Sequence, residues 1–202
     1  MKRPEKLETG SFTIWTIGHS TRSIAKFLDI LSRHGIEAIV DVRRLPASRR
    51  NPQYDSAALR EALEAQGVDY LWLPALGGRR TPVPDSPNTR WRNAAFRGYA
   101  DHMETQEFAD GLAAMLETAS GLRTAILCAE AVWWRCHRAL LADAVSSLGI
   151  AVLHILDESK AVAHPYTAAA RIVDGELTYT PGESDAEELP IFDDEGEAEE
   201  ES

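Results

Sequence analysis

No run of about 18 consecutive apolar residues occurs in this chain, which excludes a membrane-spanning helix. The start, Met1-Lys-Arg-Pro-Glu-Lys6, is charged and lacks the apolar stretch of a signal peptide. There are only two cysteines. With no export signal they point to a reducing cytoplasm, where thiols stay free rather than bridged. Neither G-x-x-x-x-G-K-[ST] nor G-x-G-x-x-G is present, so ATP or NAD binding through those loops is excluded. No arginine stands six residues after either cysteine, so the cysteine-phosphatase loop is also missing.

Charge is abundant but unevenly placed. The net charge is −11, and residues 183–202 carry 11 acids with no base. The remaining 182 residues are neutral, with 21 acids against 21 bases. A run this acidic buries too little apolar surface to offset the entropy of ordering, so 183–202 is expected to be a disordered tail. Its simplest role is solubility. Residues 1–11 form an N-terminal arm, and 12–182 suit one domain able to bury about 70% of its unfolded surface. Between Asp41 and Arg97 there are ten arginines, six acids and no lysine. Arginine offers a rigid fork suited to phosphate or carboxylate, which lysine does not. A genome rich in G and C would produce the same bias, but clustering in loops favours anion binding.

Hydrophobic periodicity sets out the fold. Strand-like runs at Phe12–Ile17, Ala38–Val42, Tyr70–Leu73, Thr124–Leu127 and Ala151–Leu156 alternate with four helical patterns. Ile24, Phe27, Leu28 and Leu31 share one helical face, with Ser20 or Ser23 as N-cap. Gly35, Gly67, Gly121 and Gly149 stand where left-handed C-caps are wanted. The strands are nearly continuous apolar runs, as parallel strands covered on both faces are. The expectation is an α/β fold: a three-layer sandwich with a mostly parallel sheet of about five strands and helices on both faces.

Ligands of such sheets bind outside the carboxyl ends of the strands. Those ends carry Gly18-His19-Ser20, Asp41-Val-Arg43, Gly77-Gly78-Arg79, Cys128-Ala-Glu130 and His154. Both cysteines lie within nine residues, Cys128 ending a strand and Cys136-His137-Arg138 opening a helix.

These motifs, in order, resemble the domain of unknown function 488 family: Thr16-Ile-Gly-His-Ser20, Asp41-Val-Arg-Arg-Leu-Pro46 with Ser48-Arg49, Leu76-Gly-Gly78, Phe96-Arg-Gly-Tyr99, and Cys128-Ala-Glu130 with Cys136-His-Arg138. The resemblance runs from about Trp15 to Tyr166. It implies an α/β fold and a polar pocket built from these motifs, and no established activity. The insert Ala131–Arg135, with Trp133-Trp134, departs from the proline-containing form expected of the family.

Each candidate has a structural competitor. Near a helix start, backbone N–H groups and flanking arginines lower a thiol's pKa from about 8.5 into a range of roughly 3.5–7.5. Cys136 is therefore the expected nucleophile, against a buried packing cysteine. Cys128 divides more evenly between site and core. Adjacent helical residues point about 100° apart, so His137 is not expected to serve Cys136 as base. Glu130 or His19 take that role. Arg138 pairs with Glu130 or Asp41, or holds substrate. Asp41 and Arg43 share a strand face and form either a mutual pair or part of the site. Gly77-Gly78 gives either a plain turn or a cradle of N–H groups for an anion. His34 and His102 are read as helix-surface residues, His154 as a satisfied core histidine, and His164 as folding back over the pocket. Of Trp133 and Trp134, one is expected in the core and one partly exposed.

The leading expectation is an enzyme with Cys136, Glu130 and His19 catalytic. Ser20, Asp41, Arg43, Gly77, Gly78, Arg79, Cys128, His137 and Arg138 would bind an anionic substrate, nucleotide-like or nucleic acid. One alternative is a non-catalytic nucleotide or nucleic-acid binding module. Another is a thiol redox or sulfur-transfer protein using both cysteines, with a faint likeness to the rhodanese domain. Cys128, Cys136, His137 and His19 offer zinc-type donors, but without the paired short spacing of structural sites no metal is assigned. No cofactor or protein partner is indicated.

Overall fold

The computed structural model describes residues 12–47 and 50–182. The expected arm, the acidic tail and the Ser48-Arg49 motif lie outside the described residues. Six strands form one sheet: β1 (Thr13–Gly18), β2 (Ala38–Asp41), β3 (Asp69–Trp72), β4 (Thr124–Cys128), β5 (Ala151–Ile155) and β6 (Ala161–Ala163), in the order β3-β2-β4-β1-β5-β6. The first five are parallel and β6 runs antiparallel to β5. A small hairpin, β7 (Arg171–Val173) with β8 (Glu176–Thr178), stands apart.

The helices are α1 (Ile24–Arg33), α2 (Ser56–Glu64), α3 (Ala94–His102), α4 (Gln106–Gly121) and α5 (Arg138–Ser147). Side chains alternate across the strands and divide the core in two. Ile17, Ile39 and Leu127 face Phe27, Leu31, Leu59 and Leu63 of α1 and α2. Ile14, Val40 and Ile126 face Phe108, Leu112, Met115, Leu140 and Leu141 of α4 and α5. The result is a three-layer α/β sandwich with a mostly parallel sheet, buried on both sides as parallel sheets are. No helix among the described residues is long and apolar enough to cross a membrane.

Local chemistry explains most boundaries. Ser23 caps α1 through Lys26 N–H, and Gly35, Gly67 and Gly149 adopt left-handed φ of +62°, +70° and +83°. Gly121 does not. It is the last residue of α4, and Leu122 N–H closes on the Thr118 carbonyl. Helix α3 and strands β6–β8 are additions to the sequence-based layout. The α3 sequence AAFRGYADH lacks a stripe of large apolar residues, and its start is made by Asn93, which accepts from Ala95 and Phe96 N–H.

The strand order positions the site. The connection from β1 through α1 passes over β4 to reach β2, while that from β4 through α5 passes over β1 to reach β5. Neighbouring strands β1 and β4 therefore send their chains in opposite directions, onto opposite faces. A crevice opens at their carboxyl ends, the usual ligand position in such folds.

Candidate active site

At that crevice lies a cavity of about 660 Å³. The loops after β1 and β4 form its floor and are joined by His19 N–H to the Cys128 carbonyl (3.0 Å) and Ser20 N–H to the Ala129 carbonyl (2.9 Å). This approach requires glycine at 18, where a Cβ would stand 1.7 Å from the Glu130 carbonyl oxygen. Arg138 donates from Nη2 to that same carbonyl and from Nη1 to Thr16 Oγ1 (3.4 Å).

The thiols meet at the floor. Cys128 ends β4, and Cys136 follows a 3-10 turn, Trp133–Arg135, with its N–H on the Trp133 carbonyl (3.1 Å). Cys136 is extended (φ −130°, ψ 149°), and α5 begins only at Arg138. The expectation that Cys136 and His137 diverge by a helical angle is therefore corrected. The extended residue lets the His137 ring turn back, placing Nδ1 3.6 Å from Cys136 Sγ and 4.0 Å from Cys128 Sγ. All three atoms lie within 4.8 Å of one another. Gly78 makes room for the ring, since a Cβ there would fall 2.7 Å from His137 Nδ1.

Both thiols are free and buried, Cys128 to 7% and Cys136 to 3% exposure, yet both border the cavity. Their proximity pushes their acidities apart. The Cys128–Cys136 hydrogen bond pushes Cys128 well up, helped by burial. The same bond draws Cys136 well down, assisted by the His137 ring and Arg138 and opposed by burial. Cys136 is thus the thiol of the pair that ionises more readily.

Around this floor the structure separates residues that reach the cavity from those that stand behind it. His19, Ser20, Arg43, Gly78, Arg79, Cys128, Glu130, Cys136 and His137 line it; Asp41, Gly77 and Arg138 do not. Asp41 is fully buried and clamps Arg43 (Nε to Oδ1 2.9 Å, Nη2 to Oδ2 2.6 Å) while accepting from Tyr70 O–H (2.7 Å). Arg43 in turn donates to the Tyr54 carbonyl (2.8 Å) and contacts His19 Nε2 (3.2 Å). Gly77 gives its N–H to the Pro74 carbonyl (2.9 Å), so it cannot offer that group to an anion. Arg138 is buried to 1% exposure and bonds a carbonyl where pairing with a Glu130 or Asp41 carboxylate was expected. Asp41, Gly77 and Arg138 stand behind the lining and shape the site from there.

Both ring nitrogens of His19, the expected second proton carrier, are engaged. Its Nδ1 donates to the Ser20 carbonyl (2.8 Å), which leaves Nε2 as the acceptor for Arg43. Burial lowers its pKa to about 4, opposed by the Ser20 carbonyl and reinforced by Arg43. With both ring nitrogens engaged and the ring stacked on Tyr54 (4.0 Å, 17°), His19 positions Arg43. His102, expected on a surface, is buried with Nε2 on the Ala75 carbonyl (2.6 Å). His164 turns to Asp143 (2.9 Å) and does not cover the cavity. Trp133 stacks on His154 (4.2 Å, 5°), whereas Trp134 is 54% exposed.

The walls are cationic. Arg44, Arg50 and Arg135 join Arg43 and Arg79, against one carboxylate, Glu130, among the described lining residues. Arg44, Arg50 and Arg135 went unassigned from sequence, although the lysine-free run of arginines already contained two of them. Two lining residues, Ser20 (φ +51°) and Arg79 (φ +60°), hold left-handed backbones without being glycine. Such strain concentrates where a surrounding structure enforces it, often at functional sites.

Among curated proteins and among solved structures, none matches the chain. A family described as domain of unknown function DUF488 matches residues 23–145, which hold the Asp41, Gly77-Gly78, Cys128 and Cys136-His137-Arg138 motifs but not His19. The match spans more than half of the sequence, and the chain belongs to that family.

Proposed function

We propose that this protein is an enzyme acting on an anionic, nucleotide-sized substrate, with the Cys136 thiolate as nucleophile. The observation that carries this reading is a sulfur 3.6 Å from an imidazole nitrogen on the floor of an arginine-lined cavity. Its volume, about 660 Å³, falls within the roughly 300–1,000 Å³ range of small-molecule sites. Guanidinium groups favour phosphate or carboxylate through paired charge-assisted hydrogen bonds. Arg43 is held rigid by Asp41, while Arg44, Arg79 and Arg135 are exposed and able to close on a ligand.

In the chemical step a Cys136 sulfur lone pair forms a bond to an electrophilic carbon or phosphorus as the bond to a leaving oxygen breaks. Glu130, on the cavity wall, supplies the proton that leaves with that oxygen, and water later cleaves the sulfur bond. Cys128 donates its S–H to the resting thiolate.

Alkylation of reduced, metal-free protein by iodoacetamide, read by peptide mass, tests this. Cys136 should label in the folded state, a nucleoside monophosphate should slow labelling, and Arg79→Ala should remove that protection. An inert Cys136 would end the catalytic reading. Nucleotide binding retained in Cys136→Ser, with no turnover by the parent protein, would instead establish a binding module.

A further inference from the structure

The sequence spacing of the two cysteines argued against a metal, but folding erases that separation. Cys128 Sγ, Cys136 Sγ and His137 Nδ1 converge within 4.8 Å, with the nitrogen 3.6 and 4.0 Å from the sulfurs. Tetrahedral zinc, with bonds of about 2.3 Å to sulfur and about 2.0–2.1 Å to nitrogen, sets its donors roughly 3.5–3.8 Å apart. Two thiolates neutralise the dication, and sulfur with imidazole selects zinc over the oxygen-seeking magnesium and calcium.

We propose that Cys128, Cys136 and His137 form a three-donor site for Zn²⁺ whose fourth position faces the arginine-lined cavity. The donors are held before any ion arrives. Cys128 is fixed at the end of β4, Cys136 by its N–H to Trp133, and the His137 ring by contact with Gly78. All three border the cavity, which leaves room for water or an anionic ligand in the fourth position.

His137 Nε2 sets the strength of this site. It is buried without a hydrogen-bond partner among the described residues, whereas a zinc-ligating histidine ordinarily gives its second N–H to an acceptor. Missing that partner costs about 10–100-fold in affinity, so the ion exchanges rather than staying permanently. A zinc-bound Cys136 sulfur gives electron density to the cation and attacks less readily, making the metal-bound form the less reactive one. The site itself rests on the three donor atoms alone and stands whether or not Cys136 turns over a substrate.

Cobalt(II) titration of the reduced full-length protein tests it. Binding of one equivalent should produce a thiolate-to-cobalt charge-transfer band in the near ultraviolet together with the visible bands of tetrahedral cobalt. Zn²⁺ should displace both. Cys128→Ser should weaken the charge-transfer band, and His137→Gln should lower affinity by more than the factor of about 10–100 tied to a hydrogen-bond partner of a ligating histidine. Far-ultraviolet circular dichroism checks that each variant folds. As a readout needing no variant, Zn²⁺ should shield both thiols of the native protein from iodoacetamide until a chelator is added. Absence of the charge-transfer band, or thiols that label equally with and without zinc, would overturn the proposal. Labelling of Cys136 in metal-free protein decides the catalytic reading separately.

Discussion

Two buried polar clusters meet at α5, and they are built on opposite terms. On the closed side, Asp143 accepts four hydrogen bonds: from His164 Nε2 (2.9 Å) and Thr167 N–H (2.9 Å) on Oδ1, and from Thr167 O–H (2.6 Å) and Tyr179 O–H (2.9 Å) on Oδ2. Because Asp143 takes the His164 Nε2 proton, His164 Nδ1 accepts from His154 Nε2 (2.9 Å), and His154 Nδ1 accepts from the Thr16 hydroxyl (2.7 Å). Every donor has an acceptor, and the chain runs one way. On the open side, His137 Nε2 and Arg138 Nε are buried with no partner among the described residues, and two free thiols stand beside a cavity. Trp133 joins the two, with its ring on His154 and its carbonyl on Cys136 N–H. Satisfied polar groups hold α5 to β5, β6 and the hairpin, while the unsatisfied His137 Nε2 belongs to a ring that borders the cavity.

Breaking the closed side should cost most. Asp143→Ala would strip four donors of their acceptor and leave them buried, a loss of about 3–5 kcal/mol of stability in urea unfolding. A loss below about 1 kcal/mol would mean the network is not a structural anchor.

The next effect follows from His154. Burial, then the neighbouring His164 and Arg138, lower its pKa to about 3, against 6.5 unfolded. Above pH 6.5 both states are neutral and the full contribution is present. Below it the unfolded chain takes a proton that the folded chain refuses, so stability falls as pH drops toward 3. The slope is up to about 1.4 kcal/mol per pH unit, or about 3 kcal/mol between pH 6.5 and 4. Urea midpoints across that window should show this fall, and His154→Gln should flatten it.

What sequence could and could not reveal divides along the same line. The parallel sheet, both covering layers and three glycine caps were legible because strand runs and caps depend on neighbouring residues. His154 was read as a satisfied core histidine, and the structure makes it one, but neither of its partners was legible: Thr16 stands 138 residues away along the chain. His164, the second partner, stands 10 residues further along the chain, and Asp143, which holds His164, lies 21 residues before that histidine, so the three meet only through β6. The one local sign was an acid inside the apolar helix Leu140-Leu-Ala-Asp143. At the cavity, Gly18 and Gly78 were seen as loop formers, but the clashes that demand them involve Glu130 and His137, some 60 to 110 residues distant. The role of His137 depended on one backbone conformation, the extended Cys136, which residue identity does not dictate.

Gly78→Ala sharpens the contrast from the open side. The added methyl would meet the His137 ring at 2.7 Å, and relief requires the ring to leave the sulfurs. Such overpacking costs about 1–3 kcal/mol, less than the loss of Asp143. Cobalt binding should fall alongside it while the pH slope from His154 stays unchanged. A variant that binds cobalt as the parent does would show that the ring can move without breaking the cluster.

The smallest expected change in stability belongs to Arg79→Ala. Arg79 is exposed, and its one hydrogen bond among the described residues, a carbonyl accepting from Arg44 Nη1 (3.2 Å), survives the substitution. Alanine meets the same left-handed φ of +60°, so the backbone strain is common to both forms. Stability should stay within about 0.5 kcal/mol of the parent. Phosphate protection of Cys136 should nevertheless decline, and its salt dependence should weaken with one guanidinium gone. If stability and protection both hold, the cationic wall is solvation alone and the anion is recognised elsewhere. If protection fails at constant stability, a fold-neutral residue carries recognition while the fold is kept by residues that never meet the ligand.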